Sequence, residues 1–285
     1  QSKQGNATGA LNYTIGVGGW CCGFYQPTQD LVDAYKTDGG LPQLDTFQDT
    51  HVTNDFGVAG DAAFTPYSGT LDPRLDFTVG RRGIDYNGYG AMGGKEWVRA
   101  SFDDISGPYL AKKNVFTNGD DANAGVGGWG QNLSGLNYHI MRYADVMLMA
   151  AEANVELNNL SAAQALVNQI RERAQNMATV KDAAGNDAAD YDIALYTAPW
   201  TDQVVARKAV RFERRLELAM EGHRTFDLRR WGVAETVMAK YISEEGETII
   251  PFGKGQTFQS KHTLFPIPLS AIDGSGGEIT QNPGF

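Results

Sequence analysis

The chain has 285 residues, 42% of them hydrophobic and 20% charged, a globular composition with enough length for one large or two ordinary domains. Its 24 basic residues stand against 34 acidic ones, a formal net charge of −10. That sign argues against nucleic acid as a partner, because phosphate contacts dominate such affinity, and no run of residues approaches the roughly 18 apolar positions of a spanning helix.

The opening QSKQGNATGALNYTIGVGGW lacks a starting methionine, a basic segment and an apolar run, so it is not read as a signal peptide. Cys21 and Cys22 are adjacent. Reduced thiols are expected, since a bond between neighbours needs a strained ring and ordinary disulfides hold their Cα atoms about 4.4–6.8 Å apart. Gly18-Gly19-Trp20 is a poor lipobox, so neither cysteine is expected to carry a lipid. A helix is expected over 28–36, preceded by Pro27 and capped by Thr28. Up to residue 141 the chain otherwise lacks long helical periodicity and holds most of the 34 glycines; it reads as long loops with extended pieces such as Leu75–Val79. Ordered loops of that length are usually functional or packed on a scaffold.

Binding chemistry is therefore sought in these loops. The motif GVGGW occurs at Gly16–Trp20 and again at Gly125–Trp129, each glycine run delivering an indole. Between them lie IDYNGYG (Ile84–Gly90) and Trp97. Sugar C–H faces stack on aromatic rings, and sugar hydroxyls take Asn, Asp and Arg partners. The candidate ligand-binding residues are Trp20, Asp85, Tyr86, Asn87, Tyr89, Trp97 and Trp129, with Arg81 and Arg82 nearby. Tyr86 and Tyr89 are expected to be the most exposed; Trp97, beside Val98, has a more core-like setting. Catalysis finds little support. His51, His139, His223 and His262 show no metal-ligand spacing, and neither a nucleophile elbow nor a P-loop is present. Glu96, Asp103 and Asp104 offer a carboxylate pair of the kind any acidic loop offers, and the NGDDAN run (Asn118–Asn123) fails the EF-hand pattern. The expectation is a protein that is not an enzyme, with no metal and no cofactor.

After residue 141 helical periodicity takes over. Ala144, Met147, Leu148, Ala151 and Val155 form one apolar face, Asn158-Asn159-Leu160 breaks it, and Ser161 is placed to cap a second helix with Ala163, Leu166, Val167, Ile170 and Ala174. Two such helices, spanning about 34 residues, make a tetratricopeptide-like unit. Helices are expected over 142–157 and 161–177, antiparallel, with Ala151 and Ala163 at the close approach. Beyond the surface excursion Asp182–Tyr191, a third is expected over 202–221, burying Val205, Ala209, Phe212, Leu216 and Ala219 and ended by Gly222. It carries Arg207, Arg211, Arg214 and Arg215 among Glu213, Glu217 and Glu221. Only Arg214–Glu217 is an obvious intrahelical pair, so the other arginines are expected to clamp carboxylates on other helices. A fourth helix over 225–242 is expected to bury Phe226 and Trp231. The rest reads as an extended wrap pinned by Phe265, Ile267 and Phe285. Three regions follow: 1–141, loop-rich; 142–242, a helical core; 243–285, the wrap. The fold class is mainly α, helical pairs decorated by long loops.

RYADVMLMAAEA, ERRLELAMEGHRTFDLRRWG (Glu213–Gly232), FPIP (Phe265–Pro268) and QNPGF (Gln281–Phe285) resemble the C-terminal half of the SusD/RagB family. PTQDLVDAY (Pro27–Tyr35), DPRL (Asp72–Leu75) and SGPYLAKK (Ser106–Lys113) resemble further landmarks of that half, in order. The resemblance implies an outer-membrane lipoprotein of Bacteroidetes that captures an oligosaccharide or polysaccharide as a lid over a SusC-like TonB-dependent transporter. It also implies an N-terminal half, or a companion chain, bearing the lipid anchor and covering the apolar face of Met147, Leu148 and Val155. Peptide capture on the same scaffold, as in RagB, and a tetratricopeptide protein-interaction module are the alternatives.

Overall fold

The computed structural model describes residues 13–14, 20–21, 25–98, 107–113, 115, 117–120, 124–127, 130–134, 137, 139–246, 249 and 255–285. They fall into two compact units, 1–222 and 223–285.

The first unit is built on three helices, α3 (Tyr143–Glu156), α4 (Leu160–Gln175) and α5 (Gln203–Glu217), after two short ones, α1 (Gln29–Asp33) and α2 (Leu75–Thr78). The link between α3 and α4 is three residues with Asn158 at φ 59°, a tight helical hairpin that α5 packs against. The apolar periodicity of the sequence becomes the interior: Met147, Leu148, Ala151 and Val155 of α3 meet Ala163, Val167 and Ile170 of α4 and Ala206 and Val210 of α5. The face expected to await a segment from outside is thus covered by α4 and α5 of this chain. Ser161 is not the cap. Asn159 takes that place without a side-chain bond, because the helix begins one residue earlier at Leu160.

Asp202 caps α5, its Oδ1 accepting from the backbone N–H groups of Val204 (2.7 Å) and Val205 (3.0 Å). Val205, expected in the core, is 53% exposed, because burial of the first turn falls to Ala206. The helix stops at Glu217, before the expected 221; Met220 at φ 63° and Gly222 at φ 83° then turn the chain.

The loop-rich segment packs on α5 through Tyr35, Leu71, Leu75, Val79, Tyr109, Phe212 and Leu216. α1 is shorter than expected; Thr28 does cap it, Oγ1 accepting from the N–H of Leu31 at 3.3 Å. Leu75–Val79 is not an extended piece. Asp72 starts a helical turn there, accepting at its carboxylate from the N–H of Arg74 (3.0 Å) and at its carbonyl from that of Leu75 (3.0 Å). Only Val79–Gly80 is strand, paired antiparallel with Leu110–Ala111. The strands described form two-stranded antiparallel pairs; the longest joins Ala124–Gly127 to Gly130–Ser134. The excursion after α4 returns inward at Tyr191, whose hydroxyl donates to Asp76 Oδ2 at 2.5 Å.

In the second unit the single helix expected over 225–242 is two, α6 (Arg224–Arg230) and α7 (Ala234–Glu245), parted by Gly232 at φ 69°. Phe226 is exposed rather than core, and half-buried Trp231 lies under the guanidiniums of Arg230 (5.0 Å) and Arg224 (6.0 Å). The tail is extended through Phe265–Pro268 but then forms α8 (Leu269–Gly274), so it is only partly a wrap. Its pins are polar: Gln281 pairs with the N–H and carbonyl of Ile267 (2.7 and 2.9 Å), and Asn282 donates to the carbonyl of Phe265 (2.7 Å). Phe265 is 70% exposed, its ring capped by Arg229 at 4.7 Å rather than buried.

Candidate functional site

The loop Ile84–Gly90 is a packed element. Tyr86 is 0% exposed, not a surface platform. Its hydroxyl donates to the carbonyl of Ala111 at 2.6 Å, and its ring fills the space left by Gly80, where a Cβ would stand 2.5 Å away. Burial raises its pKa. The carboxylate of Asp85 accepts from Gly88 N (2.8 Å) and Gly90 N (3.1 Å), closing its own turn. Asn87, at φ 49°, donates its amide to the carbonyls of Lys112 (3.2 Å) and Val115 (3.3 Å). Tyr89 and Trp97 are half-buried against the Tyr86, Met92 and Leu110 cluster, the indole edge-on to Tyr86 at 6.2 Å. Arg81 pairs with Asp76 at 2.6 Å, and Arg82 donates to the carbonyls of Ala59, Gly60 and Ala62. Asp85, Tyr86, Asn87, Tyr89 and Trp97 therefore come together, but Asp85 bonds within the loop and Tyr86 and Asn87 tie it to the backbone of 111–115. Trp20 stands in a strand paired with Tyr13–Thr14, which lies against Gly130–Ser134. Trp129, Cys22, Asp103, Asp104 and 121–123 lie outside the described residues, as does the side chain of Glu96.

A different feature of the first unit has the shape of a ligand site. A cleft of about 510 Å³ opens beside the C-terminal end of α5, within the range of small-molecule pockets. Phe77 of α2, Met177 after α4 and Leu216 of α5 give it an apolar wall; Lys113, Arg142 and Arg173 give it cations and His139 an imidazole; Glu217 and Glu221 stand among them. Arg142 reaches Glu221 with Nε (2.8 Å) and Glu217 with Nη1 (3.0 Å). Lys113 donates to Glu221 (2.7 Å) and to the Glu217 carbonyl (3.1 Å), while Arg173 donates to Glu217 (2.7 Å). Arg74, also in the lining, joins Glu217 (3.0 Å) to Glu213 (2.6 Å) and Asp72 (2.7 Å).

The local fields follow this geometry. Burial pushes the Lys113 ammonium down, and Glu221 restores only part of that. Burial would raise the Glu221 carboxyl, but Arg142 and Lys113 outweigh it and hold it below the ordinary 4.5. A depressed carboxylate stabilises the fold above its unfolded pKa and loses that contribution as pH falls through its folded value. The stability gap between wild type and Glu221→Gln is thus expected to be widest above pH 4.5 and to close on acidification, in denaturant titrations across that range. A gap constant with pH would show that Glu221 holds no cation. Asp33 and Asp55, raised by burial, contribute with the opposite sign in both proteins and cancel in the difference.

Sequence reasoning missed the cleft because its residues come from α2, Lys113, Arg142, α4 and α5, far apart in the chain. One signal was present: the surplus of arginine and glutamate on α5 without partners at helical spacing.

The sequence matches the SusD family profile over residues 1–285. SusD-like protein P25 of Formosa agariphila is 35% identical over 139 residues, 48% of this chain and 22% of that protein. SusD-like protein P2 of the same organism is 34% identical over 185 residues, 64% of this chain and 31% of that one. A SusD superfamily protein from Bacteroides vulgatus, solved by crystallography, superposes with a TM-score of 0.53 at 22% identity, over 91% of this chain and 44% of its own. The chain thus spans under a third of the curated relatives and under half of the solved one. The mainly helical fold agrees with that likeness, and the match along the whole sequence places this chain in the SusD family.

Proposed function

We propose that this chain is the glycan-capturing part of a cell-surface SusD-like protein that passes oligosaccharide or polysaccharide to a SusC-like TonB-dependent transporter in the outer membrane. The observation that carries the reading is family membership along residues 1–285. The cleft supports it chemically, since an exposed phenyl ring beside fixed cations and carboxylates offers both the stacking face and the hydroxyl partners a sugar requires. Among the described residues no helix is long and apolar enough to cross a membrane; attachment through a lipid anchor belongs to the proposed reading itself. A glycan array probed with the purified 285-residue chain tests it. Retention on a restricted set of saccharides is the expected result. Binding confined to peptide ligands would replace this reading with peptide capture on the same scaffold.

A further inference from the structure

The cleft beside α5 has a charge imbalance that capture of a neutral sugar does not require. Its ion pairs form one connected set. Glu213 binds Arg74 and Arg171; Glu217 binds Arg74, Arg142 and Arg173; Glu221 binds Arg142 and Lys113; Asp72 binds Arg74. The set holds five cations (Arg74, Arg171, Arg142, Arg173, Lys113) and four carboxylates (Asp72, Glu213, Glu217, Glu221), an excess of one positive charge. In a chain of net charge −10 that excess runs against the overall field.

The excess lies toward the open side. Arg74 and Arg171 are enclosed by acceptors, whereas Arg173 is 56% exposed and makes one hydrogen bond among the described residues, to Glu217. A guanidinium presents five N–H donors in a planar fork suited to a carboxylate or sulfate. Phe77, 41% exposed, belongs to the same wall and offers a ring face to a sugar. His139, also exposed and lining the cleft, adds a further nitrogen.

We propose that this cleft is a subsite for an acidic sugar residue, Arg173 receiving its anionic group while Phe77 stacks on its ring. The inference rests on the glycan-capture reading and narrows it to saccharides bearing carboxylate or sulfate. Lys113 and Arg142 remain with Glu221 and set the positive floor beneath the ligand. A neutral saccharide can stack on Phe77 but leaves the extra charge uncompensated, which is the basis of the discrimination.

Calorimetric titration of the whole chain with a uronic-acid trisaccharide, a sulfated neutral trisaccharide and the unsulfated neutral one, at about 0.01 M and about 1 M NaCl, tests this. Expected is affinity about ten-fold or more higher for at least one anionic ligand than for the neutral one, with the gap closing in high salt. The two anionic arms decide between carboxylate and sulfate. Arg173→Ala should erase the preference with little change in melting temperature, since the side chain is half exposed and Glu217 keeps Arg74 and Arg142. Phe77→Ala should weaken charged and neutral ligands alike. Equal affinity for charged and neutral ligands, or a preference that survives Arg173→Ala, overturns the subsite and leaves glycan capture standing. No affinity for any saccharide, here or on the array, overturns both.

Discussion

Glu213→Ala is expected to cost this protein about 3–5 kcal/mol of stability, the usual consequence of breaking a buried ion pair from one side. The carboxylate is fully enclosed, one oxygen accepting from Arg74 at 2.6 Å and the other from Arg171 at 2.9 Å. Its removal does not strand the two cations equally. Arg74 keeps Asp72 and Glu217, but Arg171 keeps only carbonyl oxygens, so the uncompensated charge falls on Arg171. Arg207→Ala, at the partly exposed pair with Glu156, is the control and should cost less than about 1 kcal/mol. Urea unfolding of both variants gives the comparison. A Glu213 variant no less stable than the Arg207 one would mean that the network does not hold the helices.

What the sequence made legible, and what it did not, divides by the distance over which a residue finds its partner. The α3–α4 hairpin was readable because its apolar faces repeat at helical spacing and its break at Asn158 is local. The charges on α5 could be read only halfway. Their lack of intrahelical partners announced a clamp between elements, yet even the one obvious pair does not form as expected. Arg214 reaches Asp145 on α3 at 2.8 Å, and Glu217 turns to Arg74, Arg142 and Arg173. Which carboxylate faces which guanidinium depends on the register of α3 against α5, and no spacing within one helix encodes that. The loop at Ile84–Gly90 misled for the same reason. Glycine and asparagine suggest an exposed turn, but Tyr86 is drawn inward by a hydroxyl acceptor at Ala111 and by the missing Cβ of Gly80, both on other segments. The cleft is the extreme case, assembled from residues between Arg74 and Glu221.

Arg171→Lys is expected to be nearly as damaging as loss of Glu213, at about 2–5 kcal/mol, although it conserves the charge. The Arg171 guanidinium is buried and serves three acceptors in three directions: the Ala194 carbonyl from Nε (2.7 Å), Glu213 from Nη1 (2.9 Å) and the Gly40 carbonyl from Nη2 (2.7 Å). An ammonium on a flexible stem has no planar fork to span them, so at least one buried carbonyl loses its donor, and the stacking over Tyr196 at 5.2 Å goes too. The junction leaves no room to adapt. Gly40 sits at φ +74°, and a Cβ there would stand 2.5 Å from the backbone nitrogen of Ala194. Arg171 and Arg173 are two residues apart on α4 and so face different sides of the helix, one into the core and the other into the cleft. Their substitutions should therefore separate cleanly. The Arg171 variant should lose stability while the folded fraction binds ligand as wild type does, and the Arg173 variant should keep its stability. An Arg171→Lys protein within about 1 kcal/mol of wild type in chemical denaturation would show that the guanidinium fork is not what joins Gly40, Ala194 and α5.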